Sequence, residues 1–386
     1  MTKRLNGEGH IRQRNDGRWE TQLTVDGKRV SIYGKTAEDV AAKRDDARGR
    51  IKREEPVVDS TQRLRDYIEH WCSTALEASD RAESTKVLYS GLAKRHIVPA
   101  LGDKPLAKLR KTDVDGLLVK LKKAGLSEST RRQIYVVLRA VLDDAKLDEL
   151  LASNAAAKVK RPTVTAQEAR YLTVDEVTSL LAAAEGLRYA IVLKLLAVTG
   201  ARKGEALAWR WSDLSVDDKT GGGVLKISRT LGRLGGELKF GLTKSKRSRE
   251  VPVSAAVVTM LKAHKAAQAA ERLAAGDRWL DHGLIFATEH GTPVEPRNIL
   301  RSIEIAAKRA KWVDDEGAEH VGLDDTVVHT LRHSAATAWL EGGLHLKAVS
   351  TLLGHHSISV TADIYGHVSE PVTRAAIDGL TERLGL

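Results

Sequence analysis

The sequence predicts a multidomain α+β chain: a small three-stranded sheet plus helix, then a helical bundle, then a mainly α domain with a small antiparallel sheet. Three observations predict it. Two Asp-Gly pairs punctuate strand-like segments near the N-terminus, apolar stripes at helix spacing take over after residue 60, and capping signatures mix with a glycine-led strand region after residue 168. At 386 residues the chain exceeds one ordinary core and has room for two or three domains.

In the first segment, His10–Arg14, Arg18–Val25 and Lys28–Tyr33 are strand-like, separated by Asp16-Gly17 and Asp26-Gly27. Asp-Gly favours a two-residue hairpin turn because glycine accepts a positive φ. Thr36 can cap a helix whose Val40, Ala47 and Ile51 share a face, and Glu54-Glu55-Pro56 ends it in a linker at 54–60. This gives a first domain at 1–55.

A second domain spans 61–157. Leu64, Ile68, Trp71 and Cys72 recur at helix spacing, as do Val114, Leu117, Leu118 and Leu121, and then Ile134, Val137, Leu138, Val141 and Leu142. A further helix over Ser84–Ile97 is expected to end before Pro99, because proline disfavours helix at the residue before it. Four such helices make a small bundle. The stretch from Lys158 to Arg170, with Pro162, reads as an exposed basic linker.

The third domain, 168–386, opens on Thr173-Val-Asp-Glu176, a capping box. Ala190–Val198 is apolar nearly all round, as a buried central helix would be. Gly221-Gly-Gly223 begins a strand-rich stretch with Val224–Arg229 and Arg249–Val253, after which helices resume, among them an alanine-rich one near 263–275.

Composition narrows the function classes. The net charge of +11 and pI near 9.5 point to a polyanion as partner. Residues 1–53 hold 14 Lys/Arg against 8 Asp/Glu, a surplus of 14 − 8 = 6 in a small module. No run of about 18 apolar residues suits a bilayer, and the charged N-terminus lacks the apolar segment of a secretory signal. A single cysteine, Cys72, excludes an intramolecular disulfide framework and suits a reducing cytoplasm.

The third domain also carries reactive residues in four short segments. Breaking a phosphodiester needs a nucleophile, a proton donor for the departing oxygen, and cations for the transition-state charge. Arginine suits the last role because its planar fork gives two hydrogen bonds and stays charged. The first segment, Thr199-Gly-Ala-Arg202-Lys-Gly-Glu205, places an arginine after a helix end, with Glu205 able to orient its neighbours; taken alone, it reads first as a glycine-capped terminus with a surface arginine. The second, Gly241 to Pro252, looks like a tight basic hairpin tip leading into a strand. Lys244 could protonate a leaving oxygen, or Lys244, Lys246, Arg247 and Arg249 could simply follow a DNA backbone. The third, His329-Thr-Leu-Arg332-His333, sets His329 and Arg332 on one helix face. Zinc binding by His329 and His333 is the competing reading, but Thr330 stands where the metalloprotease pattern needs glutamate. The fourth runs Leu352-Leu-Gly-His355-His-Ser-Ile-Ser-Val-Thr-Ala-Asp-Ile-Tyr365. A tyrosine with an ordinary pKa of about 10 needs a base or a cationic pocket to become a nucleophile.

The order Arg, Lys, His-x-x-Arg, Leu-Gly-His, Tyr resembles the tyrosine recombinase, or phage integrase, family, and the likeness covers essentially the whole chain. It implies an arm-type DNA-binding domain at 1–55, a core-binding helical domain at 61–157 and a catalytic domain at 168–386. By that likeness Arg202 and Arg332 clamp the scissile phosphate and Lys244 protonates the leaving 5′-oxygen. His329 assists proton transfer, His355 hydrogen-bonds the phosphate, and Tyr365 attacks to leave a 3′-phosphotyrosine. Glu205 supports, and His355 is preferred over His356 because it directly follows Leu-Gly. Charge and resemblance together nominate Arg12, Arg14, Arg18, Lys28, Arg29, Lys246 and Arg247 as DNA contacts.

Exchange of one phosphodiester for another conserves bond energy, so neither ATP nor a metal cofactor is expected. The partners implied are double-stranded DNA with core-type and arm-type sites, three further copies in a homo-tetramer, a directionality factor and a host DNA-bending protein, with no membrane. An apolar stripe of Val372, Ala376, Ile377 and Leu380 either packs on its own domain or, by the likeness, docks on a neighbouring subunit. Alternative tasks for the same chemistry are dimer resolution and supercoil relaxation in the manner of a type IB topoisomerase. A non-catalytic DNA-binding regulator would need only the charge and the helices.

Overall fold

Alternation of side chains and an early glycine turn build the first sheet. The computed structural model describes residues 10–25, 28–52, 61–165, 170–243, 247–314, 316–355 and 357–365. Strands β1 (Arg12–Gln13), β2 (Trp19–Val25) and β3 (Lys28–Gly34) form an antiparallel sheet in the order β1-β2-β3. Arg14 N–H donates to the Arg18 carbonyl at 2.8 Å and Gly17 N–H to the Arg14 carbonyl at 3.0 Å, with Gly17 at φ +81°. The loop is thus three residues, Asn15–Gly17, rather than the two expected, and its last position is the left-handed one that glycine serves. The register pairs Val25 with Lys28, while Asp26-Gly27 lie outside the described residues.

Helix α1 (Ala37–Lys52) follows, capped by Thr36, whose hydroxyl accepts the Asp39 N–H at 3.1 Å. Val40 and Ala47 are buried, but Ile51, in the last turn of α1, is exposed and does not share that buried face as expected. The linker expected at 54–60 lies outside the described residues.

The bundle consists of α2 (Leu64–Ser73), α3 (Ala75–Ala78), α4 (Glu83–Leu92), α5 (Val98–Leu101), α6 (Lys111–Lys123) and α7 (Glu128–Leu147). Its core joins Leu64, Ile68 and Trp71 of α2 to Leu117 of α6 and Ile134, Leu138 and Val141 of α7. Each such fully buried side chain contributes about 1.5–3 kcal/mol. Two buried aromatic donors tie α2 to α7: Tyr67 Oη to Asp148 Oδ2, and Trp71 Nε1 to Asp144 Oδ2. Burial pushes the Tyr67 phenol upward, so it stays a neutral donor.

One expectation fails here. The helix begun at Glu83 does not end before Pro99; a π-helical turn over Ala93–Ile97 carries it into α5. The wider turn shifts the hydrogen-bond register, so Pro99 falls in the first turn of a new segment, where a missing N–H costs least. The bundle also reaches slightly past 157. Val159 is buried, and its carbonyl and that of Ala156 accept the Tyr135 hydroxyl at 3.0 Å each.

By internal contacts the chain separates into two units, Met1–Ala166 and Gln167–Leu386. The second unit contains α8 (Val174–Ala183), α9 (Ala190–Thr199), α10 (Lys203–Ala206), β4 (Leu214–Val216), β5 (Gly223–Ile227), β6 (Arg229–Leu234), β7 (Glu237–Leu242) and β8 (Arg249–Val253). After these come α11 (Ala255–Ala275), α12 (Pro296–Arg309), β9 (Lys311–Val313), β10 (Glu319–Val321), α13 (Val328–Glu341), α14 (Leu346–Leu353) and α15 (Ile358–Tyr365). The capping box forms as expected: Thr173 Oγ1 accepts the Glu176 N–H at 3.2 Å, and Glu176 Oε2 accepts the Thr173 N–H at 2.8 Å. Helix α9 is the central helix; Val192, Leu193, Leu195 and Leu196 are all buried around it. Ser334 of α13 accepts the Leu172 N–H at 2.8 Å, fixing the chain that enters α8 against α13.

The sheets differ from expectation in number. Among the described residues of this unit, strands β4, β5 and β8 form one antiparallel sheet, β6 and β7 a separate ribbon, and β9 and β10 a second two-stranded ribbon. The segment 241–252 is therefore not a tight hairpin. Strand β7 pairs with β6 and β8 with β5, so 243–248 is a connection between two sheets, although it does lead into a strand. Gly204 matters to this layout: a Cβ there would lie 2.5 Å from Thr230 Oγ1 and 2.6 Å from the Leu231 carbonyl oxygen. Only glycine lets α10 lie against β6.

Candidate active site

Four segments of the second unit converge, and two buried arginines tie them together. Helix α9 ends at Gly200, which takes the left-handed conformation (φ +58°), and Arg202 follows as the N-cap of α10. The Arg202 side chain keeps about a third of its surface open (30%). Glu205, one turn on, is 2% exposed and grips Arg202 twice: its Oε2 accepts the Arg202 N–H at 2.9 Å and its Oε1 the Nη1 at 3.0 Å.

Arg332 lies on α13 three residues after His329 and is buried. Its Nη1 donates to the Gly200 carbonyl at 2.7 Å and its Nη2 to the Leu353 carbonyl at 2.6 Å. Those carbonyls lie at the C-terminal ends of α9 and α14, and each precedes a candidate residue by two positions, Arg202 and His355. Gly354, at φ +64°, then turns the chain out of α14 towards His355. The His355 Nδ1 lies 2.8 Å from the hydroxyl of fully buried Thr361 on α15.

The electrostatics follow from this convergence. Burial, then Arg332, Arg202 and Arg249, push the His355 pKa down to about 4. His329 is open to solvent at one side, yet desolvation by the surrounding protein, then His333, Arg332 and Arg202, also bring it down to about 4. The rings of His329 and His333 meet edge to face at 4.7 Å. Burial and Arg332 depress His333 as well. All three imidazoles are thus held in the form without charge by a site already rich in cations.

A pH dependence follows. An imidazole whose folded pKa lies below its unfolded value of about 6.5 binds fewer protons folded than unfolded in the interval between. Stability of this unit should therefore fall as pH drops from about 6.5 towards 4, with no such loss above 6.5. Urea unfolding midpoints at pH 7.5, 6.0 and 5.0 check this, and His355→Gln should flatten the profile. A midpoint that rises on acidification contradicts the arrangement.

Of the residues nominated from sequence, the structure brings together Arg202, Glu205, His329, Arg332 and His355. Lys244, Lys246 and the side chain of Tyr365 lie outside the described residues, as do His356 and the stripe from Val372 to Leu380; Tyr365 itself ends α15. Arg247 is exposed. In the first unit Arg14 and Arg18 lie 5.6 and 5.8 Å from the Tyr33 ring centroid, and Arg12 pairs with Glu20 at 3.1 Å. Arg29 is exposed on the same sheet, and the Lys28 side chain lies outside the described residues.

Sequence reasoning missed the role of Arg249, which it treated only as a follower of DNA backbone. Its side chain is 9% exposed and forks onto Glu205, Nη1 to Oε1 at 3.1 Å and Nη2 to Oε2 at 2.6 Å. The signal was present: on β8 Arg249 shares the inward face with Val251 and Val253 at a period of two. Thr361 carried no comparable signal.

Comparison with known proteins gives a consistent picture. The model of the phage integrase family matches residues 170–371. A tyrosine recombinase XerC-like protein of Caldanaerobacter subterraneus subsp. tengcongensis is 27% identical over 374 residues, 92% of each chain. The integrase of Streptomyces ambofaciens is 27% identical over 327 residues, 82% of this chain and 80% of that protein. The tyrosine recombinase XerD of Mycobacterium leprae is 30% identical over 300 residues, 73% and 85% of the respective chains. In fold, the chain is similar to the Tn1549 transposon integrase in complex with a circular intermediate DNA, with a TM-score of 0.63, 18% identity, and 81% and 98% of the two chains covered. It is also similar to lambda integrase in a tetramer bound to a Holliday junction, with a TM-score of 0.58, 18% identity, and 94% and 96% covered.

Proposed function

This chain belongs to the phage integrase family, and from that premise we propose that it is a site-specific DNA recombinase that breaks and rejoins DNA through Tyr365. The observation that carries the reading is the position of Arg332, whose two carbonyl contacts hold Arg202 and His355 beside it although the segments are far apart in sequence.

The chemistry is then as follows. A scissile phosphate enters among Arg202, Arg332 and His355, where fixed cations stabilise the charge that builds on its non-bridging oxygens. The Tyr365 oxygen attacks phosphorus, forming a phosphotyrosyl bond to the 3′ side while the bond to the 5′-oxygen breaks. His329, neutral in the free site, accepts the phenolic proton, and Lys244 gives a proton to the departing 5′-oxygen. The His355 Nδ1 and the Thr361 hydroxyl are 2.8 Å apart, and we assign the hydroxyl as donor, which leaves the one ring proton of neutral His355 on Nε2 for a phosphate oxygen. The 5′-hydroxyl of a partner strand reverses these steps and so exchanges strands. The bond count is unchanged, so no nucleotide or metal need supply energy.

The biological task we infer is integration of a phage or other mobile element and, with a directionality factor and a host DNA-bending protein, its excision. The work takes place in the cytoplasm of the bacterial host. Four copies would act on two synapsed core sites, as the lambda integrase tetramer on a Holliday junction suggests. The reading assigns residues 1–55 to arm-type sites, 61–157 to core sites and 168–386 to catalysis. Arg12, Arg14, Arg18 and Arg29 on the first sheet support the arm-binding assignment, because that module has no evident use in simple dimer resolution or supercoil relaxation.

The test is a nicked suicide duplex bearing the core site defined by the element's junction with its host chromosome. Purified protein should accumulate a covalent adduct at the 3′-phosphate, at an undiminished rate in EDTA. A strict requirement for Mg²⁺, or an adduct on the 5′ side, counts against the mechanism.

A further inference from the structure

We propose that Arg249 is a positioning residue for strand cleavage, holding Glu205, and through it Arg202, in register with the loop that carries His355. The proposal rests on the recombinase reading and goes beyond it, because it gives a mechanical part to a residue that the proposed chemistry does not use.

Three contacts carry it. The Arg249 guanidinium spends both terminal nitrogens on the two oxygens of Glu205, at 3.1 and 2.6 Å. The same carboxylate accepts the backbone N–H and Nη1 of Arg202, so its orientation sets the direction in which Arg202 points. The remaining donor of Arg249, Nε, reaches the carbonyl of Leu352 at 2.8 Å, at the end of α14. Arg332 Nη2 holds the next carbonyl, Leu353. The turn leading to His355 is therefore pinned by two arginines from different elements.

The packing leaves Arg249 little freedom. A Cβ at position 354 would lie 2.8 Å from Arg249 Nη1, so Gly354 serves both its own positive φ and the seat of this side chain. Arg249 is also the first residue of β8, immediately after the connection that contains Lys244. One guanidinium thus fixes the first segment to the fourth and anchors the far end of the second. A lysine could meet one carboxylate oxygen as a point charge but could not hold both oxygens and the carbonyl together. Glu205 would then turn, and Arg202 with it.

The experiment uses the full chain and the suicide duplex described above, at saturating DNA under single-turnover conditions. Arg249→Lys should slow covalent adduct formation about 100-fold, the scale of loss from an ångström-sized misplacement of a reacting group. Its Kd for the same duplex should stay within about threefold, because a buried arginine engaged by Glu205 makes no phosphate contact. In an Arg202→Lys background the same change should cost well under about 100-fold, since the part Arg249 plays through Arg202 is already lost there. Arg249→Met tests the fork without any charge and should match Arg249→Lys in rate. Thermal unfolding of each variant reports on the fold.

A cleavage rate for Arg249→Lys within threefold of wild type overturns the proposal. So does an effect that multiplies fully with that of Arg202→Lys, or a rate loss matched by an equal loss of DNA affinity, which would make Arg249 a DNA contact. If wild-type protein forms no adduct, the recombinase reading falls first. If wild type forms it and the variants behave as just described, only the positioning role is lost.

Discussion

Tyr365→Phe is expected to abolish the covalent protein–DNA adduct while leaving DNA binding within about twofold. The change removes one oxygen and nothing else from the end of α15. Without that oxygen no phosphotyrosyl bond can form. Affinity depends instead on the basic surfaces that neutralise phosphates, which the substitution leaves intact. The decisive measurement pairs a denaturing gel of the suicide reaction with a binding isotherm on the uncleaved duplex. A variant that still traps DNA at the wild-type rate would remove Tyr365 from the mechanism, and another hydroxyl would have to be sought.

The second large effect belongs to Arg332→Ala. Cleavage should fall by at least about 10³-fold, in the range seen when an arginine that stabilises phosphoryl-transfer charge is removed. Unlike Tyr365→Phe, this change should also weaken the fold. It deletes two charge-assisted hydrogen bonds and leaves the Gly200 and Leu353 carbonyls without these donors at buried helix ends. A loss of about 3 kcal/mol is the expected order. Arg332→Lys keeps the charge but cannot span both carbonyls, so it should recover part of the stability and little of the rate. Chemical denaturation alongside single-turnover cleavage separates the two. Should Arg332→Ala lose stability yet cleave within tenfold of wild type, Arg332 is a strut rather than a phosphate ligand.

The two variants also differ in what the sequence could show of them: the contacts that Arg332→Ala removes, to the Gly200 and Leu353 carbonyls, are invisible in one dimension. Lys244 and Tyr365 were nominated from order and local context, but Lys244 and the Tyr365 side chain lie outside the described residues; the His-x-x-Arg pair was nominated in the same way, and the structure brings both of its residues into the site. The same holds for the local architecture. The Thr173–Glu176 box, the Thr36 cap and the apolar run of α9 are set by interactions within one or two turns, so the one-dimensional pattern contains their causes. The errors also have local causes that lay just out of view. Pro99 looked like a stop because only the fold reveals the π turn that accommodates it. The 241–252 segment looked like a hairpin because turn-like residues cannot say which strand each flank will pair with.

The chain's residue order was enough to nominate a chemistry: a nucleophile, a proton donor, cations for a phosphate, and a basic surface for a polyanion. It could not specify who holds whom. Arg249 finds Leu352 across 103 positions and Arg332 finds Gly200 across 132. No periodicity links residues at such separations, because their meeting is set by the packing of α13 and β8 around the α9 core rather than by any local preference. Folding turns two arginines, similar on paper, into different parts. Arg332 is held by two helix-end carbonyls, whereas Arg249 is locked onto Glu205. Burial and the direction of their forked donors assign those parts.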